Sequence, residues 1–136
     1  MKKLLLVAML ASLSGCSLLT AYRMAHFDNN EYMLINGIHT QASVAVSKCG
    51  TFEVTGAVDS IYFSSLELKN YSASIPHNEA TIKMTDELVV ITKELSDRYY
   101  GTEEVSATYC KLKFNLIEKN AITMQKVIGS KPRWAQ

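Results

Sequence analysis

The apolar residues of the C-terminal segment recur every three or four positions, and this spacing constrains the fold more than any other feature of the chain. Seven consecutive members follow it: Ala107, Cys110, Phe114, Ile117, Ala121, Met124 and Ile128. An α-helix completes a turn in 3.6 residues, so these side chains share one face that must be buried against other elements. Thr102 is expected to cap this helix, and Gly129 with Pro132 to end it.

Two further segments show helical spacing. One helix is predicted over Asn30–Lys48 and ends before Gly50, and another over Asn78–Tyr99 ends before Gly101. Their predicted buried stripes are Ile35, Ile38, Ala42, Ala45 and Cys49 in the first and Met84, Leu88, Ile91 and Leu95 in the second.

The segment between these two helices is ambiguous. Val54, Val58, Ile61, Ser65 and Leu68 have helical spacing, whereas residues 51–55 alternate as a strand does. Read as a helix, the segment completes an all-α, up-down-up-down four-helix bundle, because short connections make neighbouring helices antiparallel. The alternative is three helices plus a β-hairpin in residues 51–75.

The N-terminus has lysines at positions 2 and 3, then a short apolar run, then Leu13-Ser14-Gly15-Cys16. A charged start and a short apolar core are typical of a signal peptide, and the run is far shorter than the roughly 20 residues of a spanning helix. The four-residue motif resembles the lipobox of bacterial lipoproteins. The resemblance implies removal of residues 1–15 and acylation of Cys16 with diacylglyceryl and fatty acyl (palmitate-type) chains.

The same resemblance implies a location and a domain order. In Gram-negative lipoproteins a residue other than aspartate after the cysteine, here Ser17, implies transfer to the outer membrane, with the domain facing the periplasm. Residues 16–29 are then a lipidated N-terminus and short tether, 30–129 the bundle and 130–136 a tail. The basic, aromatic tail Lys131-Pro132-Arg133-Trp134 is expected to be a frayed terminus, or else to touch headgroups or a partner.

The three cysteines test the topology. In an up-down-up-down bundle the end of the first helix and the start of the last lie together, so Cys49 and Cys110 are predicted to form a disulfide. With Cys16 assigned to lipid, these two remain, and an exported compartment permits their oxidation. The alternative is two unpaired buried thiols.

Charge and motifs exclude several functions. The formal net charge is +1, and loss of Lys2 and Lys3 with the signal peptide leaves −1, so no large basic surface for nucleic acid is expected. The sequence contains no nucleophile, metalloprotease or phosphate-loop motif, and we therefore predict no enzymatic activity and no cofactor. A weaker alternative is a haem or copper site formed by Met33, Met84, Met124 and His77, although methionine at such positions is usually core filler.

Tyrosines near Gly101 are the best candidates for binding another protein. Tyr99, Tyr100 and Tyr109 flank one connection, and tyrosine offers a large rigid ring with a polar tip. We therefore predict a membrane-tethered, non-enzymatic module that binds an envelope protein as an accessory, inhibitor or exclusion factor. The alternatives are a haem- or copper-binding carrier and a lysis-associated outer-membrane lipoprotein.

Overall fold

The computed structural model describes residues 24–133 and contains four α-helices. They are α1 (Asn29–Ala45), α2 (Val54–Ala73), α3 (Glu79–Tyr99) and α4 (Ala107–Gly129), and a short 3-10 turn, Val46–Lys48, extends α1. Consecutive helices pack against each other, and α4 packs back against α1. The predicted all-α four-helix bundle is therefore confirmed. The hairpin alternative for residues 51–75 is wrong, because α2 occupies that segment.

Side-chain caps set the starts of the first and last helices. Asp28 Oδ1 accepts the backbone N–H of Glu31 at 2.9 Å, and Ser106 Oγ accepts that of Tyr109 at 3.2 Å. The predicted cap at Thr102 is wrong. Glu103 forms an ion pair with Arg98 at 2.8 Å, across the turn that follows α3, and α4 begins only after the extended Ser106.

The predicted core stripes of α1, α2 and α4 match the buried residues. Every member is buried except Cys49 and Ala107 at the ends of their stripes, which are half-buried. Phe114 is the largest fully buried side chain, and it lies near the middle of α4. Helical spacing was sufficient here because these stripes consist almost entirely of apolar residues, which are stabilised by leaving water. The exception is Ser65, whose hydroxyl donates to the carbonyl oxygen of Ile61 at 2.8 Å.

The core face of α3 differs from its predicted stripe. Leu88 and Leu95 are buried as expected, but Met84 and Ile91 are only half-buried. Ser96 and three threonines take the remaining buried positions, and the threonines are Thr81, Thr85 and Thr92. The hydroxyls of the last two donate to carbonyl oxygens of their own helix, at 2.7 Å and 3.0 Å. A threonine bonded in this way presents mainly its methyl group to the core.

The two ends of the bundle are held by different chemistry. Cys49 and Cys110 form a disulfide with a Cα–Cα distance of 5.7 Å, which confirms the predicted pair. We call this the disulfide end. At the other end, Glu31 of α1 forms a buried ion pair with Lys131, which follows α4. We call that the ion-pair end.

Reducing the disulfide is expected to lower the free energy of unfolding by about 4 kcal/mol, because a crosslink across 61 residues restricts the unfolded chain. Urea titration of the wild type with and without dithiothreitol measures this difference. The C49A/C110A variant is the control and should not respond to the reductant. Equal midpoints for oxidised and reduced wild type would contradict the prediction.

Candidate functional site

The three predicted tyrosines lie at the disulfide end but differ in exposure. Tyr99 and Tyr109 are half-buried and pack against the hydrophobic core. Tyr100 is 63% exposed, and its hydroxyl donates to Asp59 Oδ2 of α2 at 2.6 Å. The bundle therefore brings all three near one connection, and Tyr100 presents the most ring surface to solvent.

Electrostatic contacts hold these rings in place. The hydrogen bond to Asp59, helped by partial desolvation, raises the pKa of Tyr100, and burial raises the pKa of Tyr99. Both shifts move the pKa of a hydroxyl that is already neutral at physiological pH further away from that pH. The ring of Tyr109 has the cationic groups of Arg98 and Lys113 each 5.7 Å from its centroid, within the range of cation–π attraction.

Phe52 is a surface aromatic that sequence reasoning did not single out. It lies in the turn between α1 and α2, three residues after Cys49, and is 91% exposed. Backbone hydrogen bonds from Thr51 to Lys48 (3.0 Å) and from Val54 to Thr51 (3.4 Å) shape this turn. Residues 51–55 alternate as a strand does, and a strand in a protein usually buries one of its two faces. The pattern therefore gave no indication that Phe52 is exposed.

A cluster of buried polar side chains occupies the ion-pair end. Glu31 Oε1 accepts hydrogen bonds from Ser72 Oγ (2.8 Å) and Asn78 Nδ2 (2.7 Å), and Glu31 Oε2 accepts one from Lys131 Nζ (2.6 Å). Lys131 Nζ also donates to Asn78 Oδ1 at 2.6 Å. We call these four residues the Glu31 cluster. It joins α1, α2, the α2–α3 connection and the segment after α4.

The Glu31 cluster is a structural device rather than a reactive centre. All four residues are buried, and both carboxylate oxygens of Glu31 already accept hydrogen bonds within the protein. A general acid or base needs contact with substrate or water at the atom that exchanges the proton. The cluster instead compensates two buried charges, which is the condition for tolerating them inside a protein.

The same end fixes segments expected to be a tether and a frayed tail. The backbone N–H of Ala25 donates to His77 O (3.0 Å), and that of Phe27 donates to Pro132 O (2.8 Å). The Arg133 guanidinium stacks 4.2 Å from the centroid of the Phe27 ring. With Lys131 buried, the expectation of fraying is wrong for residues 130–133, because that expectation ignored a partner carboxylate 100 residues away. Trp134 lies outside the described residues.

The four residues of the weaker metal-site alternative lie in different surroundings. Met124 is buried, Met84 is half-buried, and Met33 and His77 are exposed. His77 has a left-handed backbone (φ 59°), in the connection before α3. Among residues 24–133, no three or more histidine, cysteine, aspartate or glutamate side chains are grouped so as to hold a metal ion.

The chain matches no known protein family, no curated protein and no solved structure. None of the helices within residues 24–133 combines the length and the apolar character needed to cross a membrane. Cys16, the predicted site of lipidation, lies outside the described residues.

Replacing Lys131 with methionine should lower the free energy of unfolding by about 3–5 kcal/mol, because the Glu31 carboxylate would remain buried without its counter-charge. The E31Q/K131M double variant should recover part of this loss. Chemical denaturation of K131M, E31Q and E31Q/K131M gives the coupling energy between the two positions.

The exposed pair Lys69–Asp86 is the matched control, because ion pairs in solvent contribute at most about 1 kcal/mol. Equal losses for K131M and K69M would contradict a special role for the buried pair.

Proposed function

We propose that this chain is a lipid-anchored, non-enzymatic protein-binding module of the cell envelope, held at the outer membrane and facing the periplasm. The observation that carries the proposal is the exposure of two aromatic rings, Phe52 and Tyr100, at the disulfide end. Neither ring is needed to fill the core. Aromatic side chains with large exposed area are the residues that most often dominate the energy of protein association.

The position of the N-terminal segment supports this arrangement. Residues 25 and 27 are hydrogen-bonded at the ion-pair end, and eight residue steps separate Cys16 from Met24. Eight steps span at most about 29 Å, so a lipid on Cys16 would keep the ion-pair end close to the membrane. The disulfide end would then stand one helix length further out, about 26 Å for the 17 residues of α1.

The rigidity of the disulfide end also favours binding. Phe52 follows Cys49 closely, and Tyr100 is held by its hydrogen bond to Asp59. Side chains that are already ordered lose less conformational entropy when a partner covers them. The backbone that carries these two aromatic side chains would therefore already be fixed when a partner binds.

The anchor is tested by Cys16→Ser, which should release the protein from the membrane fraction or leave it unprocessed, since the acylated sulfur would be missing. Fractionation with carbonate washing and palmitate labelling measures both effects. Ser14→Ala keeps a small residue in the lipobox and is the control that should behave as wild type. A Cys16→Ser protein that stays membrane-bound and still incorporates palmitate would overturn the anchor.

Docking at the disulfide end is tested with a photocrosslinking amino acid at position 52 of the full chain in its host cells. We expect a protein adduct, and we expect Tyr100→Ala to lower its yield at least tenfold because the second ring contributes to the same contact. The same probe at position 133 of the ion-pair end is the control. Adducts from position 133 with none from position 52 would show that the docking site is misplaced.

A further inference from the structure

Positive charge is concentrated on one helix of the bundle. α4 contains four lysines and one glutamate, a net charge of +3. The other helices are net negative, with −1 for α1, −1 for α2 and −2 for α3. The described domain is therefore positive on the side of α4 and negative on the sides of the other helices, although its overall net charge is small.

The exposed residues of α4 combine this charge with apolar surface. Lys111, Lys119 and Lys126 follow one another at spacings of eight and seven residues, which places them on the side opposite the buried stripe. Leu112 and Leu116 lie beside them and are 65% and 40% exposed. We call these five residues the α4 surface. From Lys111 to Lys126 it extends about 22 Å, roughly four helical turns.

Val90 of α3 extends the apolar part of this surface. α3 and α4 are antiparallel, and Lys113 meets Glu94 at 2.7 Å. Leu116 lies about one turn after Lys113, and Val90 lies one turn before Glu94. Because the helices are antiparallel, these two residues lie at the same height along the bundle. Val90 is more than half exposed, so it adds apolar area beside α4 at the level of Leu116. Of the helix pairs adjacent in the bundle, α3 and α4 pack least extensively.

The lysines of the α4 surface are not neutralised by the domain itself. Five other cationic side chains form ion pairs with carboxylates: Lys69, Lys93, Arg98, Lys113 and Lys131. Within residues 24–133, Lys111, Lys119 and Lys126 form none. The surface therefore offers a binding partner both positive charge, on the unpaired lysines, and apolar area, on the exposed leucines.

Acidic residues border the α4 surface on both sides. Glu118, on the side of α1, accepts a hydrogen bond from Ser43 at 2.8 Å. On the side of α3, Glu94 is paired with Lys113, and Glu87 lies two turns before Glu94 on the same side of that helix. The positively charged part of the α4 surface is therefore about one helix wide. An acidic partner that lay further to either side would be repelled by these acidic residues.

We propose that the α4 surface binds an acidic amphipathic helix of a partner protein, whose apolar side chains cover Leu112, Leu116 and Val90 while its carboxylates pair with the three lysines. In this mode of recognition an amphipathic helix lays its apolar face on apolar surface, and charge complementarity selects the partner. The inference rests on the proposed function, because it supplies the chemical class of the protein that the module binds.

The test places a photocrosslinking amino acid at position 112 of the full chain in its host cells, with position 63 as the matched control. Phe63 is an exposed apolar residue of α2, across the bundle from α4. We expect a protein adduct from position 112 whose crosslinked peptide, identified by mass spectrometry, is rich in aspartate and glutamate. The K111E/K119E/K126E variant should lower its yield at least tenfold, and the corresponding triple arginine variant should change it less than twofold.

Several results would overturn the α4 proposal. These are an adduct that survives charge reversal, an adduct with lipid, an adduct with a second copy of this chain, or equal adducts from positions 112 and 63. Protein adducts from position 52 with none from position 112 would reject the α4 surface and leave the proposed binding function standing. The absence of protein adducts from positions 52, 112 and 133 alike would reject both. Thermal melting of the triple variants should match wild type, because all three lysines are exposed.

Discussion

Glu31 and Lys131 form a buried ion pair that joins the beginning of α1 to the segment after α4. Removing two charges from water costs several kcal/mol for each ion, and attraction offsets this cost only where the remaining hydrogen-bonding groups are also satisfied. Ser72 and Asn78 meet that condition, since each donates to Glu31. The positions of the α2–α3 connection and of the two terminal segments at this end follow from the cluster.

The disulfide at the opposite end acts by a different principle. The disulfide lowers the conformational entropy of the unfolded chain. The ion pair instead stabilises the folded bundle, because only there do the two charges lie together. One bond is covalent and insensitive to salt, and the other depends on exclusion of water. A bundle held at both ends keeps its long faces and its disulfide end in fixed positions. This order is the physical basis for treating the exposed aromatic and lysine side chains as binding groups.

The predicted elements show where sequence patterns carry enough information. Apolar spacing located the buried faces of α1, α2 and α4 because apolar residues repeated at helical spacing form one face that is buried as a unit, whereas single apolar residues such as Phe52 and Leu112 stay exposed. It failed at Thr81, Thr85 and Thr92, which a polarity pattern does not assign to the core. For Thr85 and Thr92, an acceptor in their own helix removes the cost of burying the hydroxyl. The sequence pattern also placed the start of α4 at Thr102, although Ser106 is the residue whose hydroxyl accepts the backbone N–H of Tyr109 and caps the helix.

The sequence by itself located α1, α3 and α4, because apolar periodicity and short connections act locally along the chain. It favoured a helix for residues 51–75 and a Cys49–Cys110 disulfide without excluding a hairpin or two free thiols, and the structure decided both points. Tertiary structure alone decided that Lys131 is buried against a carboxylate 100 residues away, that Phe52 is exposed, and that three lysines of α4 form no ion pair within residues 24–133. These properties depend on how each helix is rotated toward the others. That rotation is set by packing of all four helices at once, which no single segment encodes.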